Sequence, residues 1–351
     1  MTCEAGYNSY LPSMKQSNVI KFALVGLPLG MFFFGVIALS YSFFSPASRV
    51  RDGSRTLLNS KVSVTEKDLK AWVARQVNDI GPRPSIDQKK TRITAKWIES
   101  ELSEENIGYR PKVTFLDGKS GNYRNIEVEL PGTDKVNEII IVGTCYSSAA
   151  DSPGANCNGT GVAALLATAR YFVSTEHSKT IRFVACVGTF RTGEGIQGSG
   201  ISFLAESSKK INEQIIGMIY LDSLGYYTDQ IDDQRVPLQL KKEYQGKGNY
   251  LALVGELSSE EFIESFYSKF SEEYEMPVRK IVISRDLLDY QSENFVSLTG
   301  QGYPVLQLSD NSIHRYPHYQ KGTDTPDKID YERLSGVVKS LTTTIELMVS
   351  P

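Results

Sequence analysis

Two cysteines and one aspartate stand where this chain could do chemistry. Cys145 closes a run of apolar residues, Cys157 lies in a glycine-containing loop, and Asp222 follows another apolar run. A thiolate is a soft zinc ligand or a nucleophile, and a carboxylate is a harder ligand or a base. Other such groups are scarce. None of the 4 cysteines forms a CxxC zinc pattern, and 3 histidines, His177, His314 and His318, limit any imidazole-based site. No local signature ties a cysteine to His314 or His318 as nucleophile and base, and Pro317 keeps those two histidines off a common helical face. Cys186, inside an apolar run, reads as a small core residue.

The elements that must position these groups follow from apolar periodicity. Asp68 to Val77 and Ile93 to Leu102 carry apolar residues at helical spacing, with Gly81-Pro82-Arg83-Pro84 as a break between them. Strands are expected at Val113 to Leu116, Asn125 to Leu130, Ile139 to Gly143, Ile181 to Val187 and Ile215 to Leu221. Helices are expected at Gly161 to Phe172 and Ile201 to Lys209. The apolar runs at 139, 181 and 215 do not alternate, which marks strands covered on both faces. Further on, Glu260 to Tyr274 and Tyr331 to Met348 read as helices, and Ile281 to Ser284 and Tyr303 to Leu308 as strands. The polar stretch from Tyr226 to Gly248 is unassigned. Strands alternating with helices predict a three-layer αβα sandwich around a mostly parallel sheet. Ligands of such sheets gather at the C-terminal strand ends. That rule brings Thr144 to Ser147, Pro153 to Gly161, Thr189 to Gly195 and Asp222-Ser223 to one pocket.

Composition narrows the function classes. The chain has 351 residues, 40% of them hydrophobic, with 38 Lys plus Arg against 41 Asp plus Glu, a net charge of −3. No global field draws it to nucleic acid. From Phe22 to Phe44 no side chain is charged, and the stretch is long enough for the ~20 residues that a bilayer span requires. Residues 1–21 are then an N-terminal tail, 22–44 a transmembrane helix of a single-pass protein, 45–66 a linker and 67–351 one α/β domain. The stretch is longer than the apolar part of a cleaved signal peptide, although Ser45-Pro46-Ala47 could pass for a cleavage site. Lys15 and Lys21 precede the span, while Arg49, Arg51, Arg55 and Lys61 follow it, a bias toward a cytoplasmic domain that long domains can override.

Several short segments, in order, resemble the zinc aminopeptidase family that includes bacterial leucyl aminopeptidase and aminopeptidase Y. The resemblance runs from about Leu69 to Met348. Family members carry His-x-Asp after a buried strand, then Pro-Gly-Ala-x-Asp-Asn-x-Ser/Thr-Gly entering a helix. Here the corresponding segments are Cys145-Tyr146-Ser147 and Pro153-Gly154-Ala155-Asn156-Cys157-Asn158-Gly159-Thr160-Gly161. The family's Glu-Glu-x-Gly-Leu-x-Gly-Ser becomes Thr192-Gly193-Glu194-Gly195-Ile196-Gln197-Gly198-Ser199, so Thr192 replaces the general base and Gly193 a ligand. Leu221-Asp222-Ser223-Leu224-Gly225 keeps the family's aspartate ligand. Gln320, ahead of Thr323-Asp324-Thr325, takes the place of a ligand histidine.

The resemblance therefore implies the fold of a di-zinc exopeptidase with a degenerate site in which only Asp222 is retained. It also implies an extracytoplasmic domain, because the family is mostly secreted or lumenal. The function expected is non-catalytic binding of a peptide or protein partner, with no cofactor. An active metallo-exopeptidase or amide hydrolase with an altered metal set is the alternative, and one zinc on Cys145, Cys157 and Asp222 would be its simplest form. A third reading makes Cys145 and Cys157, across a vacated metal site, a disulfide or a redox-sensitive pair. Glu194 and Glu293 are candidates for a displaced carboxylate, or else solvated loop charges.

Overall fold

The structure is a computed structural model that describes residues 64–116, 123–191, 197–231, 235–242, 244 and 246–350. The expected tail, the expected span at 22–44 and nearly all of the expected linker lie outside these residues, as do Thr192, Gly193 and Glu194. Among the described residues no helix is long and apolar enough to cross a membrane.

Local sequence explains where the elements start. Helix α1 (Glu66–Ala74) begins at a capping box, in which Thr65 accepts from the Asp68 amide and the Asp68 carboxylate accepts from Thr65. It widens into a π turn at Arg75–Ile80 and stops at Gly81, whose φ of 78° lies in the left-handed region open to glycine. Helix α2 (Gln88–Leu102) is capped by Asp87. Strands β1 (Lys112–Phe115), β2 (Arg124–Leu130) and β3 (Lys135–Cys145) follow, then α3 (Gly161–Phe172) and β4 (Lys179–Cys186). A short hairpin, β5 (Thr189–Arg191) and β6 (Gln197–Ser199), leads into α4 (Gly200–Lys210) and β7 (Gln214–Leu221). Beyond a small ladder of β8 (Thr228–Ile231) and β9 (Lys247–Gly248) come β10 (Leu251–Glu256), α5 (Glu260–Glu273) and β11 (Val278–Ile283). The chain ends with α6 (Glu293–Thr299), β12 (Val305–Ser309), α7 (Ser312–Arg315) and α8 (Tyr331–Val349).

The main sheet has eight strands in the order β1-β2-β4-β3-β7-β12-β10-β11. Its centre, β4-β3-β7-β12, is parallel. The flanks are mixed: β1 and β2 pair antiparallel, as do β2 with β4 and β10 with β12, while β11 runs parallel to β10. The sheet is therefore more mixed than the apolar runs suggest, because apolarity reports burial on both faces and carries no strand direction. Side chains alternate along β3 and feed two cores. Ile140 and Val142 pack with α1, α2, α3, α5 and α8 through Leu69, Ile98, Leu165, Phe266 and Leu341. Ile139 and Ile141 pack with α4 and α6 through Ile201, Leu204, Phe295 and Leu298. Each such side chain stabilises the fold by about 1.5–3 kcal/mol through burial. The result is the expected three-layer sandwich, with the C-terminal ends of β3, β4 and β7 at one rim.

Candidate functional site

At that rim the loop between β3 and α3 is held by close backbone approach. The Thr144 hydroxyl donates to the Leu221 carbonyl at 2.8 Å, which ties β3 to β7 where both end. A Cβ on Gly161 would sit 2.6 Å from that hydroxyl and 3.0 Å from the Leu221 carbonyl, so α3 can start against the strand ends only with glycine there. Gly154 has φ 64°, and its Cβ would fall 2.6 Å from the Cys157 carbonyl. The Cys157–Asn158 peptide is cis.

Buried polar side chains then clamp the loop. Asn156 donates to Asp310 Oδ2 at 2.8 Å and Ser312 Oγ at 2.7 Å, and its amide oxygen accepts from the Gly225 amide at 2.9 Å. Asp324 accepts the Asn156 and Cys157 amides at 2.8 and 3.2 Å and the Tyr316 hydroxyl at 3.0 Å. Arg83 is wholly buried and donates to three carbonyls, those of Tyr146 (2.8 Å), Pro153 (2.6 Å) and Gly154 (2.8 Å). Burial brings its guanidinium down to about 10, against the opposing pull of Cys145, Asp324 and Cys157. These residues form a frame whose polar groups find partners inside the protein, as buried polar groups must.

Inside the frame, Cys145, Cys157, Asp222 and Gln320 line one cavity of about 440 Å³. Their side chains are mostly neutral. Burial pushes the Cys145 thiol up to about 11, and it drives Cys157 well above the ordinary thiol range, with the charges of Asp222 and Asp324 adding to the effect. Asp222 is pushed up to about 6, chiefly by burial and further by the charge of Asp310. Its Oδ2 accepts from Gln307 Nε2 at 2.8 Å. Gln320 is exposed at φ 57°, its amide 3.4 Å from the Tyr319 hydroxyl. Tyr319 lines the cavity, and burial raises its phenol, with Cys157 and Asp222 reinforcing the shift.

A zinc pair finds no place among the donors of the described residues, which do not include 192–194. Zinc takes thiolates, neutral imidazoles and carboxylates, and among the described residues no group of three or more His, Cys, Asp or Glu is arranged to hold a metal ion. One zinc on Cys145, Cys157 and Asp222 meets the same obstacle. Cys145, Cys157 and Cys186 are free thiols in this structure. Cys145 Sγ is instead engaged locally, accepting the Ser147 amide at 3.3 Å.

Of the candidate carboxylates, Glu293 lines the cavity from the first turn of α6, where it is exposed. His314 lies away from the lining, packed on Tyr244 with ring centroids 5.5 Å apart, and burial holds it down to about 4. His318 bonds Thr323 Oγ1 at 2.8 Å. The clamp of Arg83, Asn156, Asp310 and Asp324 was not expected from the sequence. Its one signal was a charged residue between two prolines, Pro82-Arg83-Pro84, where a rigid loop carries an arginine with no helical face to serve.

The profile of peptidase family M28 matches residues 125–344 of this chain. The chain is similar to the uncharacterized protein YfbL of Escherichia coli, 23% identical over 290 residues that cover 79% of this chain and 86% of that protein. It is also similar to aminopeptidase YwaD of Bacillus subtilis, 28% identical over 159 residues, covering 43% of this chain and 34% of that one. Among solved structures the LapA aminopeptidase of Legionella pneumophila superposes with a TM-score of 0.64 at 14% identity, over 85% of this chain and 76% of LapA.

Proposed function

Because the chain belongs to peptidase family M28, we propose that it is a membrane-anchored member whose cavity binds a peptide or protein partner without hydrolysing it. The observation that carries this reading is the donor set. Cys145, Cys157, Gly193 and Gln320 occupy the positions where the family resemblance implies metal ligands, Thr192 replaces the base, and Asp222 alone keeps a carboxylate. A two-metal hydrolase needs a bridging group that holds its ions about 3.5–4 Å apart and activates water between them. Buried neutral thiols supply neither that bridge nor a base. Loss of a general base by itself removes roughly 3–5 kcal/mol of barrier lowering. The uncharged stretch from Phe22 to Phe44 supports the anchor, and the domain is assigned to the extracytoplasmic side.

The test is hydrolysis by the full chain purified in neutral detergent, with leucine p-nitroanilide and unblocked peptides as substrates and zinc added or withheld. Release at the buffer rate is expected in every case. Zinc-dependent release that disappears in Asp222→Asn would instead establish the alternative, an exopeptidase or amide hydrolase with an altered metal set.

A further inference from the structure

Helix α2 carries a basic stripe on its outer face. Lys89, Arg92 and Lys96 recur at spacings of three and four residues, so they share one side of the helix, and all three are exposed. Two isoleucines join them. Ile93, on the same side, is 41% exposed, and Ile86, just ahead of the Asp87 cap, is 85% exposed. The acidic side chains of α2 mostly serve elsewhere: Asp87 accepts from the Lys90 amide, Glu101 accepts from the Trp72 and Trp97 indoles, and Glu99 alone borders the stripe. None of the three cations is ion-paired among the described residues.

This arrangement works against the helix. Like charges three and four residues apart repel, and cations near the start of α2 face the positive end of the helix dipole. The first turn has no acidic residue to offset them. Unpaired cations beside exposed isoleucines match the headgroup region of an anionic bilayer, which takes the charge on its phosphates and the apolar side chains just beneath. The chain brings such a surface within reach. Its uncharged stretch ends at Phe44 and the described residues begin at Val64, so about 20 residues intervene, roughly 65 Å when extended. This linker enters at α1, whose Trp72 indole donates to Glu101 in the last turn of α2 at 3.0 Å. The tether therefore joins the domain beside the helix that carries the stripe.

We propose that the outer face of α2 docks on anionic lipid headgroups, with Lys89, Arg92 and Lys96 on the phosphates and Ile86 and Ile93 at the acyl boundary. The inference rests on the reading of 22–44 as a membrane anchor, which holds the domain at high local concentration over the lipid and makes a weak attraction persistent. Ile86 also stands in the wall of the cavity that holds Asp222. Docking then sets the mouth of that cavity at the membrane surface.

The experiment is lysine footprinting with acetic anhydride, read by mass spectrometry, on the full chain reconstituted at low ionic strength. One set of vesicles is phosphatidylcholine alone, and the other is phosphatidylcholine and phosphatidylglycerol in equal parts. Lys89 and Lys96 are expected to be acetylated about fivefold more slowly in the anionic vesicles, and high salt should abolish the difference. Lys209 and Lys210, exposed at the end of α4 across the sheet, should react alike in both. Arg92→Glu is expected to cut the protection of Lys89 and Lys96 to about twofold or less, with an unchanged thermal midpoint in neutral detergent to report that the variant is folded. Equal acetylation of Lys89 and Lys96 in the two vesicles overturns the docking, and so does protection that spreads equally to Lys209 and Lys210. Protection by soluble polyglutamate in detergent, with none from anionic vesicles, overturns the assignment to lipid and gives the stripe to an acidic protein. Washing with alkaline carbonate reads the anchor separately. A chain retained in both vesicles with equal lysine labelling keeps its anchor and loses the docking, whereas a chain washed off both loses the anchor on which the docking rests.

Discussion

The loop clamp and the ligand positions lie within the same rim, yet they obey opposite rules. Around Asn156, Arg83 and Asp324 polar side chains are buried with their hydrogen-bonding partners in place, and two glycines permit close backbone approach. A few residues away, Cys145, Cys157 and Gln320 line a cavity with the Asp222 carboxylate, which is held by the Gln307 amide. The first region keeps what folding requires, whereas on the function proposed here the second has lost what a metal requires. Backbone carbonyls and amides at the loop must be satisfied whether or not an ion is bound, so the clamp persists on stability grounds alone. Metal ligands have no such second duty.

That contrast is most severely tested at Arg83. Arg83→Leu removes a donor from three carbonyls, of which that of Gly154 keeps the Gly159 amide, and is expected to destabilise the domain by about 3 kcal/mol or more, read as a lower urea midpoint with unchanged slope. A shift under 1 kcal/mol would mean that the clamp is dispensable.

Asp222 offers the opposite sign. Its folded value of about 6 stands above the unfolded value of roughly 3.9, so the native state binds the extra proton between these limits. The associated stability is fully present below about pH 4 and is lost as pH rises through about 6, a change of roughly 3 kcal/mol. Asp222→Asn should remove that slope and raise stability at pH 7 by about 2 kcal/mol, because the carboxamide oxygen can still accept from Gln307. If Asp222 serves as a metal ligand, the same substitution will destabilise the zinc-loaded protein.

The smallest effect belongs to Gln320, whose φ of 57° is uncommon for a side chain with a Cβ. Gln320→Gly is expected to raise stability by about 0.5 kcal/mol in thermal unfolding, since no ligand function is lost with the side chain.

Much of the fold is legible in the chain because burial leaves a periodic trace. Ile139 to Gly143 and Ile215 to Leu221 are apolar without interruption, and they are central strands. The run Leu251 to Gly255 is equally apolar and forms β10, although the polar stretch just before it obscures that strand in the sequence. The antiparallel turns of β2 and β10 leave no mark, since direction depends on the path of the connections. At the site, strand ends and motif order brought Cys145, Cys157, Asp222 and Gln320 together as one lining. The clamp is not legible in the sequence because isolated polar residues such as Asp310 and Arg83 have no period. Their partners are set by loops that meet only in three dimensions.

The central claim is that the frame outlasted its ions. The most direct measurement is zinc per chain, by plasma mass spectrometry, on the full protein purified with zinc present and then dialysed. The account predicts far less than one zinc per chain, unchanged in Asp222→Asn. One or two zinc ions retained by the native chain and lost in that variant would contradict it.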